Sequence, residues 1–142
     1  MKDLITKEQV FSHPIDTIWN AISTAEEISN WFLPADFKAE VGYNYTFNSP
    51  DKENCKPIVG IIKQATPYTL IYSWKIAGTD VETTVKWTLE KIENGTKLLL
   101  EHSGISNYTG ETIIEMFNSF DGGWDNCIKG LSEYLTTATY AG

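Results

Sequence analysis

Apolar residues recur along this chain with two different periods, and the change from one to the other divides it. Leu4 to Ser12 is rich in Ile, Val, Phe and Thr and predicts a strand. Pro14 then suits the first turn of a helix, where its missing N–H is not needed. Ile15, Ile18, Trp19 and Ile22 follow at i, i+3, i+4 and i+7, one face of a short helix. Thr24-Ala25-Glu26-Glu27 has the form of a capping box that restarts the helix, with Ile28, Trp31 and Phe32 on its apolar side. Pro34 predicts its end.

From residue 36 the pattern alternates. Phe37–Glu40 and Tyr43–Asn48 flank Val41-Gly42, a tight hairpin signal, with Tyr43, Tyr45 and Phe47 on one face. A polar loop, Ser49–Asn54, leads to Pro57–Thr66, where Ile58, Gly60 and Ile62 alternate against Val59 and Ile61. Pro67 marks a turn, after which Leu70, Tyr72, Trp74 and Ile76 line one side of a strand that ends at Gly78-Thr79-Asp80. Val85, Trp87 and Leu89 alternate with Lys86, Thr88 and Glu90. Asn94-Gly95 predicts a two-residue turn, because both positions tolerate positive φ. Leu98, Leu100 and His102 then face the same way.

The last segment predicts one long helix over about residues 110–137. Ile113, Phe117, Phe120, Trp124, Cys127, Leu131 and Tyr134 form a continuous stripe, widened by Ile114, Ile128 and Leu135. Gly122-Gly123 interrupts it at about 1 kcal/mol per Gly relative to Ala. Either the helix kinks there or Asp121 caps a second helix. The order β–α–α–β×6–α places the chain in the α+β class, with six or seven antiparallel strands. A meander needs its apolar face covered, and only the C-terminal helix is large enough to do so.

A length of 142 residues without repeats or linkers predicts one domain over 1–142. Eleven Lys+Arg against 19 Asp+Glu leave a net charge of −8, and every cation is Lys. That balance excludes nucleic-acid binding, which needs clustered cations, and it removes the planar fork that clamps carboxylates and phosphates. Two cysteines, Cys55 and Cys127, and two histidines show no metal-ligand spacing, so neither metal nor other cofactor is expected. No apolar run reaches membrane-span or signal-peptide length, which predicts a cytoplasmic protein with no membrane partner. Cys127, on the helical stripe, reads as an inert core thiol and Cys55 as the exposed one.

Aromatic residues reach 13% of the chain, and the alternation points many of them inward. Tyr45, Phe47, Tyr72, Trp74 and Trp87 on strands face Phe117, Phe120 and Trp124 on the helix, with Ile62, Leu100 and His102 on the same faces. Two readings compete. One is a packed core. The other is a ligand cavity, because Tyr and Trp carry polar tips that need partners when buried. His102 is either a hydrogen-bonded structural residue or a polar anchor or general base at the cavity wall. His13, before Pro14, reads as a surface residue where the helix starts. Glu82, Glu90 and Glu101 alternate outward, while Asp121 and Asp125 only flank the helix stripe. No catalytic residue is assigned. Trp19, Trp31 and Tyr68 could form a protein-contact patch, although Trp19 and Trp31 lie on helix faces that should be buried.

Four motifs, in order, carry a family resemblance over nearly the whole chain. Trp31-Phe32-Leu33-Pro34 after two short helices resembles the W-[FW]-x-P motif of the heat-shock-protein-90 ATPase activator-like family. Gly42-Tyr43-Asn44-Tyr45-Thr46-Phe47, Glu101-His102-Ser103-Gly104 and Gly123-Trp124 followed by Leu131 and Tyr134-Leu135 are further matches. The resemblance implies the helix-grip fold of the START-like superfamily, of birch-pollen-allergen type: a sheet curved around the C-terminal helix. It also implies a cavity between them that holds apolar or aromatic small molecules. It implies no reaction. Related aromatase/cyclase domains make a cyclase-type enzyme one alternative. A protein-interaction module in stress response, with a heat-shock protein 90 homologue as partner, is another. Family members often carry arginines near the pocket, and their absence here disfavours anionic ligands such as fatty acids and phosphates.

Overall fold

The computed structural model describes residues 4–32, 35–48, 57–66, 68–76, 81–107 and 112–137. Strand β1 (Ile5–Phe11) is followed by helices α1 (Ile15–Ser23) and α2 (Ala25–Trp31). Six strands come next: β2 (Ala35–Asp36), β3 (Asn44–Phe47), β4 (Ile58–Thr66), β5 (Thr69–Ile76), β6 (Glu82–Ile92) and β7 (Gly95–Ser103). A 3-10 turn (Ile105–Asn107) precedes helix α3 (Thr112–Thr137). All seven strands form one antiparallel sheet in the order β1-β7-β6-β5-β4-β3-β2. Sequence neighbours therefore pair throughout, except that β1 closes on β7 at the far edge from β2.

The two-residue period survives because α3 covers only one face of the sheet. On β7 the buried positions are Thr96, Leu98, Leu100 and His102, and on β6 they are Thr83, Val85, Trp87 and Leu89. The turn joining them is shifted by one residue from the expected Asn94-Gly95: Ile92 lies opposite Gly95, so Glu93 and Asn94 form the loop and only Asn94 takes a positive φ, of 65°. Gly95 instead opens β7, where a Cβ would lie 2.0 Å from Phe11 O on β1. Phe120, Trp124, Cys127, Ile128, Leu131 and Leu135 on α3 are buried, and Ile18, Ala21, Ile22 and Ile28 extend the same core through α1 and α2. Burial pushes the Cys127 thiol pKa up, consistent with an inert group.

Three further local expectations are corrected. The expected strand Phe37–Glu40 does not form; β2 is Ala35–Asp36, and Lys38 makes only an isolated bridge to Thr24. Gly42, at φ 90°, instead donates its N–H to Ile62 O, while Ile62 N–H donates to Tyr43 O. The residues after the Val41-Gly42 turn thus extend the β3–β4 ladder, leaving Phe37 to bury its ring against Tyr45 and Phe47. Second, the Thr24 hydroxyl does not cap α2. It donates back to Asn20 O, the carbonyl that also accepts the Thr24 N–H, the local back-bonding that Thr offers at a helix end.

Third, α3 runs unbroken through Gly122-Gly123. Both glycines are solvent-exposed, and burial of Phe120, Trp124 and Cys127 on the opposite face outweighs about 1 kcal/mol per Gly. Asp121 caps nothing; its carboxylate accepts from Lys7 on β1. The expected features at Pro34, 49–54, Cys55, Pro67 and 78–80, and the side chains of Ile113 and Ile114, lie outside the described residues.

Candidate functional site

The inner face of the sheet meets α3 in a hydrogen-bonded chain centred on His102. The strand period puts His102 on the covered face, where it is 0% exposed. Its Nδ1 lies 2.9 Å from the indole Nε1 of Trp124, which can only donate. Nδ1 is therefore the acceptor, and the neutral ring carries its proton on Nε2. That N–H donates to the Thr83 hydroxyl at 2.6 Å, and Thr83 in turn donates to Trp74 O at 3.3 Å. Burial lowers the His102 pKa from 6.5 to about 4, so the ring is neutral at pH 7. Both nitrogens are engaged by protein partners, and the residue ties α3 to β6 and β7.

Around this chain the inward rings form a continuous network. Tyr45 lies 4.8 Å from Phe47 and 4.9 Å from Tyr72 between ring centroids. Trp74 lies 5.1 Å from Trp124 and 6.2 Å from Phe120, and Trp87 meets Trp124 edge-on at 5.8 Å. Ile62 and Leu100 are buried in the same core, while Phe117 is only half-buried and packs at its margin. The structure thus brings together the inward set expected from alternation, with Phe117 at the rim.

The polar tips are served selectively. Trp87 donates to the Tyr72 hydroxyl at 2.9 Å, and the Tyr45 hydroxyl donates to Ser73 O. Burial raises the pKa of both tyrosines, so both hydroxyls stay protonated. The indole N–H of Trp74, in contrast, is buried without a partner.

Three members of the site escaped the sequence reading. Phe32 stacks on Trp124 and meets Phe47, Phe37 packs on Phe47 and Tyr72, and Thr83 bonds His102. Thr83 was within reach of the pattern, since it shares the inward register of Val85 and Trp87. Phe32 and Phe37 were not, because the end of α2 and the broken β2 segment set their directions. Of the proposed contact patch, Trp31 turns inward to donate to Ala21 O at 2.7 Å, and Trp19 packs edge-on against Tyr68.

Among the described residues no Asp, Glu or Lys is buried. Nor do three His, Cys, Asp or Glu side chains converge as a metal site would need. A groove of about 360 Å³ opens along the β1–α3 seam, where Lys7 bridges Asp121 and Asp125, outside the ring network. No helix among the described residues is long and apolar enough to cross a membrane.

A seven-stranded antiparallel sheet with two helices after its first strand, its inner face closed by a long C-terminal helix, defines a helix-grip, START-like domain. The chain belongs to the family described as activator of Hsp90 ATPase homolog 1-like protein, whose profile matches residues 12–136. The protein MLL2253 of Mesorhizobium loti is similar at 25% identity and a TM-score of 0.83, over 94% of this chain and 96% of that one. The Bacillus halodurans protein BH1534 is 28% identical with a TM-score of 0.73, over 94% and 96%. An HSP90 activator from Plasmodium falciparum, PFC0360w, shares the fold at 21% identity and a TM-score of 0.75, over 95% and 97%. No curated protein matches the sequence.

Proposed function

We propose that this START-like domain is a non-enzymatic binder of a small, neutral, apolar or aromatic molecule, held between the inner sheet face and α3. The observation that carries the reading is the composition of that interface. Tyr45, Phe47, Tyr72, Trp74, Trp87, Phe120 and Trp124 converge there without a buried Asp, Glu or Lys among the described residues. Ligands of this kind gain roughly 25 cal/mol per Å² of apolar surface removed from water. The remaining wall is supplied by Ile62, Leu100, His102 and, at the rim, Phe117. A neutral His102 and a chain without Arg offer an anion no buried counter-charge, which selects against fatty acids and phosphates.

Native mass spectrometry of freshly purified protein, followed by titration with Nile red under tryptophan fluorescence, tests this reading. A co-purified small molecule, or saturable dye binding reported by Trp quenching, supports it. Absence of both overturns it.

Family membership favours a second reading, a cytoplasmic co-chaperone module in stress response. The relevant neighbour is the Plasmodium protein described as an HSP90 activator. Retention of a heat-shock protein 90 homologue on the immobilised domain, with a faster ATPase rate, is the expected outcome under that reading. A cyclase-type reaction would need an acid–base pair at the cavity, and the buried titratable base described there, His102, has both nitrogens occupied.

A further inference from the structure

Trp74 is the exception among the buried tryptophans. Buried Trp87 and Trp124, and half-buried Trp31, each donate their indole N–H to a protein acceptor. Trp74 is 6% exposed, and its Nε1 has neither solvent nor partner. It stands at the middle of the ring network, with Trp124, His102, Phe120 and Phe47 at centroid distances of 5.1, 5.5, 6.2 and 6.3 Å. The acceptors nearby are already committed: His102 Nδ1 to Trp124, the Thr83 hydroxyl to His102 and the Tyr72 hydroxyl to Trp87. Native interiors leave few buried donors unmade, because the desolvation of such a group is not returned. A phenyl ring at this position would carry no such donor.

We infer that the Trp74 N–H is the recognition donor of the proposed inner-face site, and that the ligand is a neutral aromatic carbonyl compound whose oxygen accepts it. The inference rests on the binding reading above and narrows it to a chemical class. A neutral oxygen suits the site, since no buried cation faces it. Admission of the oxygen requires Phe120 to rotate off the Trp74 ring. Phe120 is 8% exposed and lies beside half-buried Phe117, so it is at the margin of the cluster rather than its centre.

The test uses 9-fluorenone and fluorene, rigid molecules of one shape that differ by C=O against CH₂. Their affinity ratio is measured for the wild type, Trp74→Phe and Trp19→Phe, the last a tryptophan that packs on Tyr68 outside the ring network. Loss of the donor lowers the fluorenone-to-fluorene ratio about three- to tenfold in Trp74→Phe, the worth of one neutral hydrogen bond, and leaves it unchanged in Trp19→Phe. Comparing the ratio between variants cancels the different water solubilities of the two probes. An independent reading comes from the indole ¹H–¹⁵N peaks of the wild type, which do not depend on a variant folding. The Trp74 peak moves downfield with fluorenone and not with fluorene. Equal ratios in wild type and Trp74→Phe, or a Trp74 peak indifferent to the carbonyl, overturn the inference and leave the cavity reading standing. Binding of neither probe while Nile red binds overturns the inference alone; binding of none of the three, with no co-purified molecule, overturns both.

Discussion

The indole N–H of Trp124 on α3 donates to Nδ1 of His102 on β7 at 2.9 Å, and this bond fixes both the tautomer of the histidine and the seat of the helix. It joins residues 22 positions apart through a core built mainly of apolar side chains. Polar links of this kind specify one packing among several that hydrophobic burial alone would accept. Through Thr83 the same link reaches the backbone of Trp74, so four side-chain and main-chain groups orient one another.

Stability falls as pH is lowered through the range set by His102. Its folded pKa of about 4 lies below the ordinary 6.5, so between those values the unfolded chain binds a proton that the folded one refuses. The contribution is complete above about pH 6.5 and lost by about pH 4, at most about 3 kcal/mol. Urea unfolding at a series of pH values checks this. His102→Gln, which cannot titrate, flattens that part of the profile; an unchanged slope in the variant contradicts the assignment.

Trp124→Phe is more destabilising than Trp74→Phe, although the chemical change is the same. The first leaves His102 Nδ1 buried without a donor, a penalty of roughly 1–3 kcal/mol beyond the lost packing. The second deletes a donor that has no protein partner. Denaturant midpoints of the two variants, compared at pH 7, measure the difference. Equal losses would mean that the Trp124–His102 bond contributes nothing net.

Gly60→Ala destabilises by about 1–3 kcal/mol or more. A Cβ there would lie 2.1 Å from Ser73 O and 2.7 Å from Tyr45 Cε2, because the Tyr45 ring crosses this residue to reach Ser73 O. Ile61 N–H meanwhile donates to the Ser73 hydroxyl at 2.8 Å, just before the β4–β5 register shifts between Ile62 and Gln64. Tyr45→Phe, which keeps the ring and removes only the hydroxyl, costs nearer 1 kcal/mol. Thermal unfolding of both variants separates the steric from the polar contribution.

Lys7→Met lowers stability by no more than about 1 kcal/mol, and the loss shrinks as salt is added. Lys7 Nζ bridges Asp121 at 2.7 Å and Asp125 at 2.9 Å, one turn apart on α3. Burial lowers the lysine pKa, but bonds to the two carboxylates outweigh it and the net shift is upward. Melting temperatures at low and high ionic strength, with the wild type alongside, show whether the clamp is electrostatic.

Much of the architecture was legible in the residue pattern. Alternation along 82–92 and 95–103 and the stripe from Phe117 to Tyr134 each follow from burial on one side only, a local constraint that repeats at the period of the element. The same logic placed Tyr45, Tyr72, Trp74, Trp87, His102 and Trp124 on the covered face before any contact was known. Local preference failed where neighbours compete for the same group. Thr24 turned back to Asn20, Gly122-Gly123 stayed helical because its flanks are buried, and Phe37 left the expected strand for the core.

What only the tertiary structure decided is which polar tips meet. His102 finds Trp124 and Thr83, Trp87 finds Tyr72, and Trp74 finds none, although alternation treats all of these inward residues alike. Periodicity assigns a face; it carries no information about the rotation and height at which a helix settles on that face. Hydrogen bonds need atoms within about 3 Å at restricted angles. Their pairing is therefore set by how α3 docks across strands far from it in sequence.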